Sequence, residues 1–277
     1  MAIRFLAVGL LASLSWSACL AQVATDTADD PAYNSGWDLT DNGGAGFQPW
    51  NEVEALGGGR YLENSGRQVD GTRSFALYAN TYQSSQYPGG YAVSRPLVTP
   101  LSQGSLSVLV RHDLDNATGF SGINLKSIAG PLFGGGELLA VGLVPTSIYS
   151  GGGNDNVSVF GSTSQSVSPN GGELRGDILD YIVDWNTDAG TYDVTIDDLT
   201  HGGSASTSGS LKAAGEPVVS IGFGNFDVGS FNNLIFDDLS VSAVPEPTTA
   251  TAIVGLAGMC GLRRPRRPKG ASAAVGV

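Results

Sequence analysis

Between residues 25 and 242, apolar and polar positions alternate in short runs, and no long window carries a helical period. In Tyr192–Asp197, the side chains of Tyr192, Val194 and Ile196 fall on one face and those of Asp193, Thr195 and Asp197 on the other. A period of two is the signature of a half-buried antiparallel strand. Similar strand-rich runs occupy Ser74–Ala79, Tyr91–Ser94, Ser105–His112, Gly122–Ser127, Leu138–Val144, Asn156–Phe160, Ile178–Trp185, Thr191–Leu199, Pro217–Phe223 and Asn232–Val241. Clusters of Gly, Ser, Asn and Asp separate them. Asn186–Gly190 reads as a hairpin turn, with Gly190 supplying the positive φ. Short strands with turns every ~8–12 residues predict an all-β fold, an antiparallel jelly-roll β-sandwich. Composition does not break along this stretch, so residues 22–242 are expected to form one domain. The segments Val194–Thr200 and Leu234–Ser240 echo each other 40 residues apart. No further copies exist, so the echo reflects two strands in similar surroundings rather than a repeat array.

Two apolar runs at the ends depart from this pattern. At the N-terminus, Arg4 precedes the run Phe5–Leu14, which is too short to span a bilayer comfortably. Cys19-Leu20-Ala21 places small residues at −3 and −1. Residues 1–21 therefore read as a signal peptide helix cut between Ala21 and Gln22. A lipoprotein signal acylated at Cys19 is the rival reading, with Trp16 where a Leu is usual.

At the C-terminus, Val244-Pro245-Glu246-Pro247 leads into a 15-residue apolar run, Thr248–Leu262, and then into Arg263-Arg264-Pro265-Arg266-Arg267-Pro268-Lys269. The basic cluster resists translocation, and the apolar run spans a thin bilayer if its flanks adjust. The two prolines hold Glu246 in an extended, accessible stretch just outside the helix.

This tripartite end resembles the PEP-CTERM sorting signal of bacteria. The resemblance implies that Val244, Pro245, Glu246 and Pro247 form the motif read by an exosortase. Arg263, Arg264, Arg266 and Arg267 would be the stop-transfer element behind a hydrophobic sorting helix. The signal would cover residues 243–269, leaving 270–277 as a tail longer than such signals often carry. It implies export by the general secretory route, a membrane-bound precursor, and a mature form at the cell surface or in the extracellular matrix. An ordinary C-terminal membrane anchor is the blander reading.

The central region resembles the concanavalin A/laminin-G-like jelly rolls of exported bacterial proteins. The resemblance rests on Arg73–Asn80, Gly104–Val108, Thr118–Phe120, the strand–turn–strand Tyr181–Leu199 and the closing Phe236–Val241. It implies that the last strand pairs back near the N-terminal one.

Charge sharpens this picture. Of 14 Lys and Arg, one lies in the first 21 residues and five in the last 15, so the middle sets eight against all 26 acids, a balance of −18. Such a surface argues against nucleic acid as a partner. The cysteines are Cys19 and Cys260, both in the end segments. The domain must therefore be held by packing, backbone ladders or bound metal rather than disulfides.

Candidate chemistry is sparse. Histidine is limited to His112, ending a strand, and His201, in a Gly-rich loop. No Gly-x-Ser-x-Gly elbow occurs. Glu52-Val53-Glu54 lacks the rest of the Glu-x-Asp-x-x-Glu strand that jelly-roll glucanases use, so a non-enzymatic role is expected. Calcium is the cofactor left open. Asp113, Asp115 and Asn116 offer three oxygen side chains in four residues after a strand, and Asn154-Asp155-Asn156 is a second candidate. Asp and Asn also favour turns with no metal at all. Asp197-Asp198 and Asp237-Asp238 are further acid pairs that could serve as ligands. Their expected arrangement has one Asp facing solvent and its neighbour meeting a turn amide. Zinc is implausible with so few histidines and no central cysteine.

Tyr82, Tyr87 and Tyr91, with Trp37 and Trp50 around a Gly-rich loop, are either rings that stack on sugars or rings that fill the core. Trp185 reads as core. The expected role is a structural or adhesive surface protein. The alternative is a polysaccharide-binding, lectin-like module, its dependence on calcium left open.

Overall fold

In the computed structural model the chain separates into two units, residues 1–244 and 245–277. The structure describes residues 21–79, 89–113, 119–130, 135–144, 156–172, 174–227 and 232–244. The expected signal helix and the stretch from Pro245 onward lie outside these residues. Among the described residues, no helix is long and apolar enough to cross a membrane.

Fifteen strands are described: β1 (Ala21–Asp26), β2 (Asn51–Leu56), β3 (Gly58–Glu63), β4 (Ser74–Ala79), β5 (Gly89–Leu101), β6 (Gln103–Asp113), β7 (Phe120–Lys126), β8 (Glu137–Leu143), β9 (Val157–Phe160), β10 (Ser164–Val167), β11 (Ile178–Asn186), β12 (Thr191–Asp198), β13 (Ser204–Ser210), β14 (Val218–Asp227) and β15 (Asn232–Ala243). A single 3-10 turn, Pro31–Tyr33, is capped by the side chain of Asp30. The strands form two antiparallel sheets. One runs β13-β12-β11-β6-β15-β4-β3, with β1 added along β15; the other runs β10-β9-β8-β7-β14-β5-β2. The expected all-β, two-sheet antiparallel architecture is present, and the last strand does pair with the N-terminal one.

The alternation read from sequence sets the core. Tyr192, Val194 and Ile196 are buried, while Asp193 is exposed and Thr195 and Asp197 are half-buried. They join Leu106, Val108 and Val110 of β6, Tyr181 and Val183 of β11, and the inward residues of the second sheet in one apolar layer. Phe223 of β14 and Phe236 of β15 stack across that layer, 4.0 Å between centroids. Gly190 has φ +68° and closes the β11–β12 hairpin as expected.

Trp37 and Trp50 resolve to the core reading. They are 7% and 2% exposed and meet edge-on at 5.0 Å, packed on Phe75. Tyr91 is also buried. Tyr82 and Tyr87 lie outside the described residues. Trp185 is in the core, its indole N–H donating to the Leu101 carbonyl at 3.2 Å.

Candidate functional site: an acidic face and a carboxylate corner

Alternation along β11, β12 and β13 sends their polar residues to the outer face of the first sheet. There, strand register sets Asp184 directly opposite Asp193, and Asp180 opposite Asp197. The edge strand β13 extends the face with Ser204, Ser206 and Ser208, the last opposite Asp193. Like charges placed directly opposite one another repel. Burial raises the Asp180 carboxyl above its ordinary range; the Ser107 hydroxyl opposes this, and Asp197 and Asp238 add to it.

The face turns a corner at β15. Phe236 pairs with Phe75 of β4, whereas Leu239 pairs with Asp26 of β1, so β15 changes its neighbour over Asp237 and Asp238. Its pairing with β6 is irregular at the same place, between Asp237 and Ser240, and Asp238 has φ +52°. Such a bulge re-aims side chains out of the regular ladder. Asp237 is fully buried and Asp238 is exposed. Oδ1 of Asp237 accepts from the amides of Ala28 at 2.8 Å and Asp238 at 2.9 Å. This is the division of labour expected of the pair. Burial pushes the Asp237 carboxyl up to about 7, the two amides oppose that, and Asp70 and Asp238 add to it. A cleft of about 370 Å³ opens beside the bulge, lined by Gln22, Thr25, Asp26, Thr27, Asp30 and Asp238 among others.

Asp197-Asp198 divides in a similar way. Asp198 is buried, and its Oδ1 accepts from the amides of Thr200 and His201 at 2.8 and 3.0 Å. Its partner cluster escaped the sequence reading. Asp177, Asp198 and His201 bring one ligand atom each within 4.8 Å of one another, a spacing that fits a metal ion. His201 Nδ1 lies 3.1 Å from Asp177 Oδ2 and 3.7 Å from Asp198 Oδ2. Asn170 Nδ2 also donates to Asp198 Oδ2. Internal hydrogen bonds already serve this cluster, which ties together the loops around β11 and β12.

Of the calcium candidates, Asp113 is described, while Asp115, Asn116, Asn154 and Asp155 lie outside the described residues. The Asp113 carboxylate is engaged by two guanidinium groups, Arg111 at 2.8 Å and Arg67 at 3.5 Å. Asn156 is half-buried just before β9. Ala21 and Gln22 begin β1 and pair with Ala243 and Ser242. Val244 follows β15, half-buried. Pro245, Glu246, Pro247, Arg263, Arg264, Arg266 and Arg267 lie outside the described residues.

His112 is wholly buried. Its Nδ1 lies 3.0 Å from Ser121 Oγ and its Nε2 2.9 Å from the Tyr181 hydroxyl. Burial drives its pKa down to about 3, so the ring is neutral at ordinary pH. Glu52 is exposed on β2, hydrogen-bonded by the Tyr91 hydroxyl and 3.6 Å from Arg60.

The architecture defines a class, the two-sheet antiparallel β-sandwich. No protein-family model matches the chain, and no curated protein is similar to it. Solved structures are similar at low identity. Domain 4 of AbnA, a GH43 extracellular arabinanase from Geobacillus stearothermophilus solved with arabinotriose, is 15% identical; the match covers 84% of this chain and 98% of that one, TM-score 0.46. The lectin UEA-II, solved with galactose, is 12% identical over 70% of this chain and 97% of that one, TM-score 0.42; the lectin of that name comes from Ulex europaeus. The VIP36 exoplasmic/lumenal domain, in a form bound to Ca2+ and Man3GlcNAc, is 13% identical over 73% and 87%, TM-score 0.46. Likenesses this distant carry nothing about what this chain binds.

Proposed function

We propose that this chain is an exported surface protein, trimmed at both ends, whose β-sandwich serves a non-enzymatic structural or adhesive role. The observation that carries the reading is the order Pro245-Glu246-Pro247, apolar run, arginine cluster. Each part has a distinct physical job in holding a precursor in a membrane and presenting it for cleavage.

The sandwich geometry supports it. Ala21 pairs with Ala243, so the expected N-terminal cut and the end of β15 lie at the same end of neighbouring strands. The other end of these strands lies away from the Ala21–Ala243 pair. That end carries the strand termini Ala79, Asp113 and Asn232, with Asn232 opposite Ala79 and Asn233 opposite Asp113. β15 spans the distance with 12 residues, roughly 40 Å at ~3.3 Å per residue.

Polysaccharide binding is the second reading. The serine- and aspartate-rich outer face of β11–β13 favours it, because hydroxyl and carboxylate oxygens are the acceptors and donors that sugar hydroxyls and bridging cations meet.

Replacing Pro245-Glu246-Pro247 with three alanines tests the first reading. The expected result is a membrane-retained precursor with its tail intact. Unchanged trimming and release of that variant would overturn it.

A further inference from the structure

Three side chains meet at the open end of the β11–β12 hairpin. Asp177 immediately precedes β11, and Asp198 ends β12, paired with Leu179. The β12–β13 turn then folds back on Asp198, whose amide donates to the Gly203 carbonyl and whose carbonyl accepts from the Gly202 amide, both at 3.0 Å. Gly202 and Gly203 take φ of +78° and +126°, a region that glycine enters at little cost. The turn brings the His201 imidazole against both carboxylates. Its Nδ1 lies 3.1 Å from Asp177 Oδ2 and 3.7 Å from Asp198 Oδ2, and one ligand atom from each residue lies within 4.8 Å of the others. Ligand atoms about 2.0–2.2 Å from a tetrahedral zinc ion are roughly 3.3–3.6 Å from one another. The two measured separations bracket that range. Among the described residues, this is the one group of histidine and acidic side chains so spaced.

Lone pairs remain for an ion. A carboxylate oxygen accepts two hydrogen bonds. Asp198 Oδ1 is filled by the amides of Thr200 and His201, which fix the orientation of the carboxylate. Asp198 Oδ2 accepts one bond, from Asn170 Nδ2, which leaves it a second lone pair. Asp177 Oδ2 is met by the histidine itself. The side chains of Asp177 and Asp198 are 6% and 0% exposed and that of His201 is 62% exposed, so two buried carboxylates face a ring that is open to water.

We infer that Asp177, Asp198 and His201 bind one divalent cation of the zinc class at the open end of the β11–β12 hairpin. An imidazole nitrogen beside carboxylate oxygens suits zinc and its first-row neighbours, whereas calcium takes oxygen ligands. Binding would exchange the contact between Nδ1 and Asp177 for a bond from each atom to the ion, and the neutral ring would carry its proton on Nε2. Water would fill the remaining position on the exposed side. Asn170 and the two amides would form the outer layer that orients Asp198. The low histidine count argues against sites built mainly from histidine and cysteine; here carboxylates supply two of the three ligands. The ion would link the segment before β11, the end of β12 and the β12–β13 turn, in a domain whose central region has no cysteine for a disulfide.

The test uses the full chain in mild detergent, with Cys19 and Cys260 alkylated so that thiolates do not compete for the metal. It is titrated with zinc chloride by calorimetry and melted with chelator and with zinc. The expected result is one zinc per chain and a rise in Tm of roughly 5–10 °C at about 100 times Kd. His201 is exposed, so His201→Ala should fold normally and bind zinc at least about tenfold more weakly. Asp177→Asn should lose the shift to a similar degree. Asp193→Asn, an exposed acid that is not one of the three, should keep it in full. Calcium chloride at the same concentration should raise the Tm less than zinc does. A wild-type chain that neither binds zinc nor melts higher with it would overturn the site. Equal zinc binding by wild type, His201→Ala and Asp177→Asn would overturn it too, because the ion would then sit elsewhere; if Asp177→Asn does not fold, His201→Ala decides alone. A calcium shift larger than the zinc shift would overturn the metal class. None of these results touches the export reading, which is judged by trimming of the ends.

Discussion

Arg95 and Asp26 face each other in the interior, both side chains fully buried, 2.9 Å apart. The guanidinium also donates to the carbonyls of Gln48 and Gly43 and lies 5.0 Å over the Trp50 ring. Tyr33 donates to Asp26 and accepts from the Trp50 indole at 3.0 Å. This network pins the loop between β1 and β2 onto the core. Burial outweighs even the adjacent arginine, and the Asp26 carboxyl rises to about 6. Arg95→Met should therefore cost about 3–5 kcal/mol in a denaturant titration, because it strands a buried charge. Adding Asp26→Asn should recover part of that loss. Equal stability of Arg95→Met and wild type would show that the pair is not holding the loop.

His112 makes a pH-dependent prediction with a definite sign. Its folded pKa is depressed to about 3, so below the ordinary histidine range the unfolded chain takes up a proton that the folded chain refuses. Stability from this group is complete above about pH 6.5 and falls as pH drops, by up to about 1.4 kcal/mol per unit. Asp26 and Asp237 act in the opposite sense, since their raised values favour the protonated fold as pH falls. The comparison with His112→Gln isolates the histidine. The stability of wild type relative to the variant should decline between pH 6 and 4, and a flat difference would contradict it.

At the scale of elements, glycine decides how closely β7 and β8 approach. Gly122 and Gly142 pair directly, and a Cβ on Gly142 would lie 2.3 Å from the Ser121 carbonyl oxygen. The Phe120 ring covers the pair. Gly142→Val should force the strands apart and destabilise by at least about 1–3 kcal/mol, read from the denaturation midpoint.

Elements with apolar alternation were legible in the sequence: β4 spans Ser74–Ala79 as expected, and β6, β11 and β12 differ by a residue or two at their ends. Five strands escaped. β13 reads Ser-Ala-Ser-Thr-Ser-Gly-Ser and has no apolar face, because it is an edge with one side in water. β10 is four residues long, and β2 and β3 are joined through Gly57 in a glycine-rich stretch. β1 coincides with the expected cleavage point. β5 runs on through Pro96, whose carbonyl accepts from the Gln48 amide.

The site was legible only as a local pattern. The division of Asp237-Asp238 into one buried and one exposed acid followed from turn chemistry, and in the other pair Asp198 is buried while Asp197 is half-buried. That Asp237 reaches the amide of Ala28, 209 residues away, follows from the β1–β15 pairing, which no local pattern contains.

For the whole molecule, the β1–β15 register places both ends of the sandwich together. Gln22 stands opposite Ser242, and its amide donates to Ser240 Oγ at 3.2 Å. A cut between Ala21 and Gln22 and a second at the Pro-Glu-Pro motif would leave a net-acidic sandwich that loses the Ala21–Ala243 pair but keeps the β1–β15 ladder from Gln22 to Asp26, and is free of its basic tail. The intact mass of the protein recovered from the surface of the producing cell tests this most directly. The expected species begins at Gln22 and has lost the segment carrying Arg263–Lys269. A surface species that still carries this segment would contradict it.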